Sequence, residues 1–190
     1  EMGKDRGNNY ALLLSDFGRA HINGKLDYSQ LPTTVFNLIG DKLPSIPGLP
    51  KTKATNNNFH ITAHITNSDF LTDLCNFPVI LHQPAELTGE INDKNVSLNV
   101  NLPRFEYDGN TIENGRINLS SPNDTLQLKV SFQRLEEKGH KLSVGIDAAA
   151  INNNLFTKIS FDNKRKKRLK GHINAQTYFF LNKNKQATTH

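Results

Sequence analysis

The chain has 190 residues, 36% of them hydrophobic and 22% charged, with a formal charge of +5 and a pI near 9.3. That length holds one ordinary domain or a piece of something larger, while the lean apolar content and the lack of Trp suit a sheet that buries one face only. Cys75 is the only cysteine, which excludes an internal disulfide and a Cys-based metal site, and no apolar run reaches the roughly 18 residues that a membrane-spanning helix needs.

Residues 1–28 read as N-terminal strands. The first nine residues are polar and expected to be loose. Tyr10, Leu12 and Leu14 alternate in part, with Ala11 and Leu13 filling the other face. Ala20, Ile22, Gly24, Leu26 and Tyr28 alternate cleanly with polar neighbours, so a hairpin turning near Asp16-Phe-Gly18 is predicted.

Residues 29–76 are irregular and Pro-rich. Leu31–Ile39 predicts a short helix with Pro32 in its first turn, Gly40 at its end, and Leu31, Val35, Phe36, Leu38 and Ile39 as its apolar stripe. Pro44, Pro47 and Pro50 then enforce an extended segment whose Ile46 and Leu49 are expected to cover an apolar surface such as a sheet end. Phe59, Ile61, Ala63 and Ile65 form one strand face, with His60, Thr62 and His64 opposite. Ser68 caps a second predicted helix over Asp69–Cys75.

Residues 77–181 read as a repetitive antiparallel sheet. Val79-Ile-Leu81 begins a strand that Pro84 interrupts. Val96, Leu98, Val100 and Leu102 alternate with Ser97, Asn99 and Asn101, a period of two that gives one dry face, where a helix would scatter the four around its circumference. Leu126, Leu128, Val130 and Phe132 repeat the pattern, as do Leu142, Val144, Ile146 and Ala148, then Leu155, Thr157, Ile159 and Phe161, then Leu169 to Phe179. Asp108-Gly109, Glu136 to Gly139 and Asn152 to Asn154 mark turns. The polar residues 182–190 are expected to be a disordered tail.

A Gly followed by an apolar–Asx step recurs at Gly24, Gly89, Gly115, Gly145 and Gly171. The recurrence fits either an array of like units or an ordinary meander with Gly and Asx at its turns. The basic run Lys164 to Arg168 lies between two alternating strands, which favours a solvated turn that blunts sheet edges over a nucleic-acid footprint. No phosphate loop, nucleophile elbow or zinc-protease motif occurs. His60 and His64 share a strand face without a third ligand nearby, and Asp16, Asp27, Glu86, Glu90, Asp93, Glu106 and Asp108 all fall at strand ends or on wet faces. The expectation is a protein without catalytic residues, metal or cofactor, and not an enzyme.

The runs Pro84 to Asn92, Leu98 to Gly109 and Ile112 to Leu119, together with the ending Ala175 to Phe180, resemble the repeats of TamB-like, AsmA-related envelope proteins. The resemblance spans most of residues 10–180. It implies a periplasmic sheet folded lengthwise into a groove, a β-taco, in a longer chain anchored at the inner membrane. It also implies phospholipid transport between the two membranes, or outer-membrane protein assembly with a barrel partner.

The expected fold class is therefore mainly β: an antiparallel, repeat-like curled sheet, groove-like or sandwich-like, with one or two short helices near the N-terminal third. Val96, Leu98, Val100, Leu102, Ile117, Leu119, Leu126, Leu128, Val130, Phe132, Leu142, Val144, Ile146, Ile159, Phe161 and Ile173 are the candidate lining of one apolar face. Alternation alone allows that face to hold phospholipid acyl chains or to be an ordinary sandwich core. The rival function is a non-catalytic binding module for carbohydrate or protein, with Phe105, Tyr107 and Tyr178 on a polar platform. No nucleic-acid partner is expected, and edge-to-edge self-association is.

Overall fold

The structure, a computed structural model, describes residues 2–5, 8–50, 53–69, 78–165, 168–181 and 187–189. Thirteen strands occur among them: β1 (Met2–Asp5), β2 (Asn8–Ser15), β3 (Gly18–Lys25), β4 (Asn58–Ile65), β5 (Val79–Leu81), β6 (Ala85–Asn92), β7 (Val96–Tyr107), β8 (Asn110–Ser120), β9 (Leu126–Leu135), β10 (Lys141–Ile151), β11 (Asn154–Asp162), β12 (Lys170–Leu181) and β13 (Ala187–Thr189). The one α-helix among the described residues, α1 (Leu31–Lys42), follows a 3-10 turn at Tyr28–Gln30. The expected second helix over Asp69–Cys75 lies, apart from Asp69, outside the described residues, as do parts of the basic run and of the tail.

All thirteen strands form one curled antiparallel sheet, ordered β1-β2-β3-β4-β6-β7-β8-β9-β10-β11-β12-β13, with β5 also on β7. It is a meander, so nearly every strand pairs with its predecessor and successor in sequence. Asp108 and Gly109 have φ of 49° and 70°, and Asn152 and Asn153 have 49° and 61°. Each pair makes the two-residue turn whose left-handed residues match the twist of the flanking strands, which is why Asx and Gly stand there. β5 and β6 lie end to end along β7, because Pro84 cannot donate to the ladder. The His82 and Gln83 amides bridge the break by donating to the Arg104 carbonyl at 3.1 and 3.2 Å.

Three local expectations need correction. The helix does not stop at Gly40 but continues to Lys42, where the Leu43 amide still reaches the Ile39 carbonyl at 2.9 Å and Pro44 then ends it. Its buried side is also different: Thr34, Asn37, Leu38 and Lys42 are buried, whereas Val35 and Phe36 are exposed. The cause is a polar socket. Asn37 Nδ2 donates to the Lys53 carbonyl at 2.8 Å and to Asp93, and Asn57 Nδ2 donates to the Thr34 hydroxyl at 2.9 Å. Lys42 Nζ sits 2.6 Å from Asp41 and 3.3 Å from Asp124, and these two carboxylates, Asp41 foremost, raise its pKa against the opposing effect of burial. Finally, the polar termini are not wholly loose, since Met2–Asp5 pairs with β2 and Ala187–Thr189 pairs with β12.

One buried apolar cluster sits off-centre. Leu43, Ala150 and Phe179 are buried together, with Ile39, Ile46, Leu126 and Leu155 packed around them. Helix α1 and the segment after it therefore close one end of the sheet's apolar face. The Asn153 amide donates to the Lys42 carbonyl at 2.8 Å, and Asn153 Oδ1 accepts from the Ser45 amide at 2.9 Å, fixing that lid to the β10–β11 turn.

Candidate functional site

The strand registers assemble the apolar positions into rows that run across the sheet. Opposed residues read Leu13, Ala20, Ala63, Leu87, Val100, Ile117, Val130, Ile146, Ile159 and Ile173, one from each of ten successive strands, without a polar member. At a strand spacing of about 4.8 Å this row is roughly 43 Å long. A second row runs beside it through Ala11, Ile22, Ile61, Gly89, Leu98, Leu119, Leu128, Ala148, Thr157 and Ala175. Phe132, Val144, Phe161 and Gly171 continue a third. The Phe161 ring covers Gly171, where a Cβ would lie 2.8 Å from it.

All of the candidate lining residues fall on this face. Val96 is buried at the edge of the lid, and Leu98, Val100, Leu102, Ile117, Leu119, Leu126, Leu128, Val130, Phe132, Leu142, Val144, Ile146 and Phe161 are half-buried. Ile159 and Ile173, near the outer edge, are exposed. Leu142 stands apart from the rows, opposite Arg134. The face also reaches further than the sequence reading placed it. Leu13, Ala20, Ile22, Ile61, Ala63, Leu87 and Ile91 carry it across β2 to β6. The period-two signal was present in those strands, but the irregular residues 29–57 between them and β7 hid their adjacency.

The described strands pack chiefly against their own neighbours, and among the described residues all strands belong to one sheet. Away from the end closed by α1, Val79 and Ala85 are also buried, beside Ser68, whose hydroxyl donates to the Val79 carbonyl at 2.6 Å, and between the two ends the apolar side chains are half-buried.

The other face is mostly polar, with Leu12, Leu14, Ala149 and Phe156 among its apolar members. Its central row reads His21, Thr62, Thr88, Asn99, Asn118, Lys129, Asp147, Lys158 and Asn174. His60 Nδ1 lies 3.2 Å from Glu90 and His64 Nδ1 lies 2.5 Å from Glu86, so these histidines pair across strands with carboxylates. Among the described residues no group of three His, Cys, Asp or Glu side chains is placed to hold a metal ion. A shallow depression on this face, lined in part by Gln127, Lys129, Asp147, Lys158, Asn174 and Gln176, has the exposed Phe156 in it. Of the platform aromatics named from sequence, Phe105 instead lies against Gly115 on the apolar side, Tyr107 is exposed beside its turn, and Tyr178 stacks on Phe180 at 6.0 Å.

At the β11–β12 turn, the Arg168 guanidinium and the Lys164 amide hold the Asp162 carboxyl down at a pKa of about 2. Glu136 is held between Arg134 at 3.3 Å and Arg165 at 2.5 Å. These charges cluster at the turn ends of β9 to β12. Among the described residues no helix is long and apolar enough to cross a membrane. No family model, curated protein or solved structure matches the chain.

Proposed function

We propose that this chain is a segment of a TamB-like envelope protein, and that its apolar face is one wall of a groove carrying phospholipid acyl chains through the periplasm. The observation that carries the reading is the uninterrupted apolar row from Leu13 to Ile173, ten strands wide and faced by no second sheet among the described residues. Burying one methylene is worth about 0.8 kcal/mol, so an acyl chain of about a dozen carbons gains affinity from such a wall without any polar contact. A wall of similar aliphatic side chains has no deep well, which suits sliding along it. The polar opposite face suits an aqueous compartment. In this reading the parent protein is anchored in the inner membrane and delivers lipid, or assists protein assembly, at the outer membrane through a barrel partner. No covalent step, metal or cofactor takes part.

Photocrosslinking probes at Leu98, Val130 and Val144, combined with mass spectrometry of copurified lipid, test the reading. Lipid adducts at all three positions are expected. Adducts to protein neighbours alone, with no lipid copurified, would overturn it. A second reading, glycan binding, is favoured by one feature: Phe156 exposed within the shallow depression of β9 to β12 among polar side chains such as Gln127, Asp147 and Gln176. Binding on a glycan array that is lost in Phe156→Ala, without lipid capture, would select it.

A further inference from the structure

Arg134 is a charged side chain on the apolar face. It continues the alternation of Leu126, Leu128, Val130 and Phe132 along β9. Its opposed residues are Ile112 on β8 and Leu142 on β10, and the row runs on through Phe105 to Leu81. Arg134 is thus the charged member of an otherwise apolar row, at the rim where β9 turns into β10. A long basic side chain lays its methylene stem on such neighbours and lifts its charged head into water.

The guanidinium does not stand alone. Arg134 Nη2 donates to Glu136 Oε1 at 3.3 Å, and Arg165 Nη2 donates to Glu136 Oε2 at 2.5 Å. Two cations share one carboxylate, so the cluster keeps a net positive charge. Each guanidinium has several N–H donors and commits one nitrogen to Glu136, and neither has another acceptor among the described residues. The two arginine side chains are 45% and 39% exposed, whereas Glu136 is the sheltered member at 21%. Unspent donors therefore remain at the border of the apolar face. The other bridged carboxylates stand elsewhere. Glu113, shared by Arg104 and Lys141, lies opposite Gln133, and Asp162, held by Arg168, lies opposite Ser143, both on the polar side.

We infer that Arg134 and Arg165 clamp the phosphate of a phospholipid whose acyl chains lie on the apolar rows. The inference rests on the acyl-wall reading and adds to it a site for the headgroup. Chemistry favours a phosphate, because a planar guanidinium pairs with two of its oxygens at once, and two guanidiniums around one carboxylate retain the charge to hold it. Position favours an amphiphile over a free anion. Phe132 lies two residues from Arg134 along β9 and Val130 lies four, roughly 7 and 13 Å away at about 3.3 Å per residue. A phosphate at Arg134 sets the first methylenes over Phe132 and its opposed Val144, and the rest along the row of Val130. On the α1 side of the sheet, Lys42 is buried and already paired with Asp41 and Asp124. The bound lipid accordingly takes one orientation, with its headgroup toward the β9–β10 turn.

The test titrates two fluorescent probes with the same acyl chains into the 190-residue chain: a phosphatidylglycerol, and a diacylglycerol that lacks the phosphate. The phosphatidylglycerol should bind about tenfold tighter. Arg134→Gln with Arg165→Gln should lower it to the diacylglycerol affinity and leave diacylglycerol binding within about twofold. Lys129→Gln with Lys158→Gln removes the same charge from the polar face and should leave the preference in place. Glu136→Gln should tighten phosphatidylglycerol binding, because both guanidiniums lose a competing carboxylate. A tie that serves only to join the two turns would give no such gain. Arg165→Gln alone, on the turn beyond β11, serves if the double variant folds poorly, with a smaller loss confined to phosphatidylglycerol. Equal affinity for the two probes, the same loss from the polar-face lysines, or weaker binding in Glu136→Gln would overturn the clamp and leave the acyl wall standing. Binding of neither probe would overturn both. Displacement of phosphatidylglycerol by inorganic phosphate at matching concentration would assign the cluster to a soluble anion and overturn the headgroup assignment.

Discussion

Asn37 Nδ2 donates to Asp93 Oδ1 at 3.0 Å, and that bond ties the middle of helix α1 to the turn between β6 and β7. The same carboxylate accepts the Thr55 amide at 2.7 Å and the Thr55 hydroxyl at 2.6 Å. Asp93→Ala removes one acceptor and leaves those donors unsatisfied in a partly buried socket, at a cost of about 1–3 kcal/mol. Urea denaturation should therefore show a lower midpoint with an unchanged slope.

Acid should have a related effect. Burial pushes the Asp93 carboxyl upward, but the Thr55 hydroxyl, the Thr55 amide and Asn37 outweigh it and hold the pKa below its ordinary 3.8. A carboxyl lowered on folding stabilises the protein above its unfolded pKa, and the contribution is lost as pH falls through the folded value. Wild-type stability should thus fall more steeply than that of Asp93→Asn below about pH 4, as measured by denaturation over a pH series.

The two asparagines of the β10–β11 turn should respond differently to the same substitution. Both have left-handed φ, which glycine adopts freely, so Asn152→Gly should change stability by no more than a few tenths of a kcal/mol. Asn153 Oδ1 also accepts from the Ser45 amide, and Ser45 is buried. Asn153→Gly keeps the turn but orphans that amide, costing about 1 kcal/mol or more. Thermal melts of the two variants compare the effects directly.

The Asp162 carboxyl should titrate near 2, since Arg168 and the Lys164 amide both favour its charged form. Arg168→Gln should return it toward its ordinary 3.8. Carboxyl-carbon NMR of the turn reads the shift. Because this folded value is the lower one, whatever stability the pair contributes is complete above pH 3.8 and vanishes as pH drops to about 2.

Much of the sheet was legible because alternation is a local signal with a steric cause. Each of β7 to β12 shows it, and the Asp108-Gly109 and Asn152–Asn153 turns follow from residues that tolerate left-handed φ. Even the interruption at Pro84 falls where the sequence predicts it. The underside of α1 was not legible. Val35 and Phe36 look like its core stripe, but the surface that meets the helix is the polar set Thr55, Asn57 and Asp93, which no local pattern assigns to it. The width of the apolar face was hidden for a similar reason. It depends on β3 pairing with β4 and β4 with β6 across long intervals, and long-range pairing leaves no periodic trace.

Two adjacent residues on β9 can separate the proposed role of the apolar face from general effects of charge. Val130 lies at the centre of the long apolar row, and Lys129 points to the polar face between Asn118 and Asp147. Placing a carboxylate at Val130 requires its desolvation whenever an acyl chain covers the site, so Val130→Glu should weaken binding of a fluorescent fatty-acyl probe by about tenfold or more. Lys129→Glu changes the net charge by more but should leave the probe affinity within about twofold, because its side chain remains in water. If Val130→Glu does not fold, Val130→Thr preserves the shape and adds a hydroxyl, and the same ordering against Lys129→Glu is expected. Equal losses at the two positions would mean that the probe responds to charge or global stability and that the row is not its binding wall.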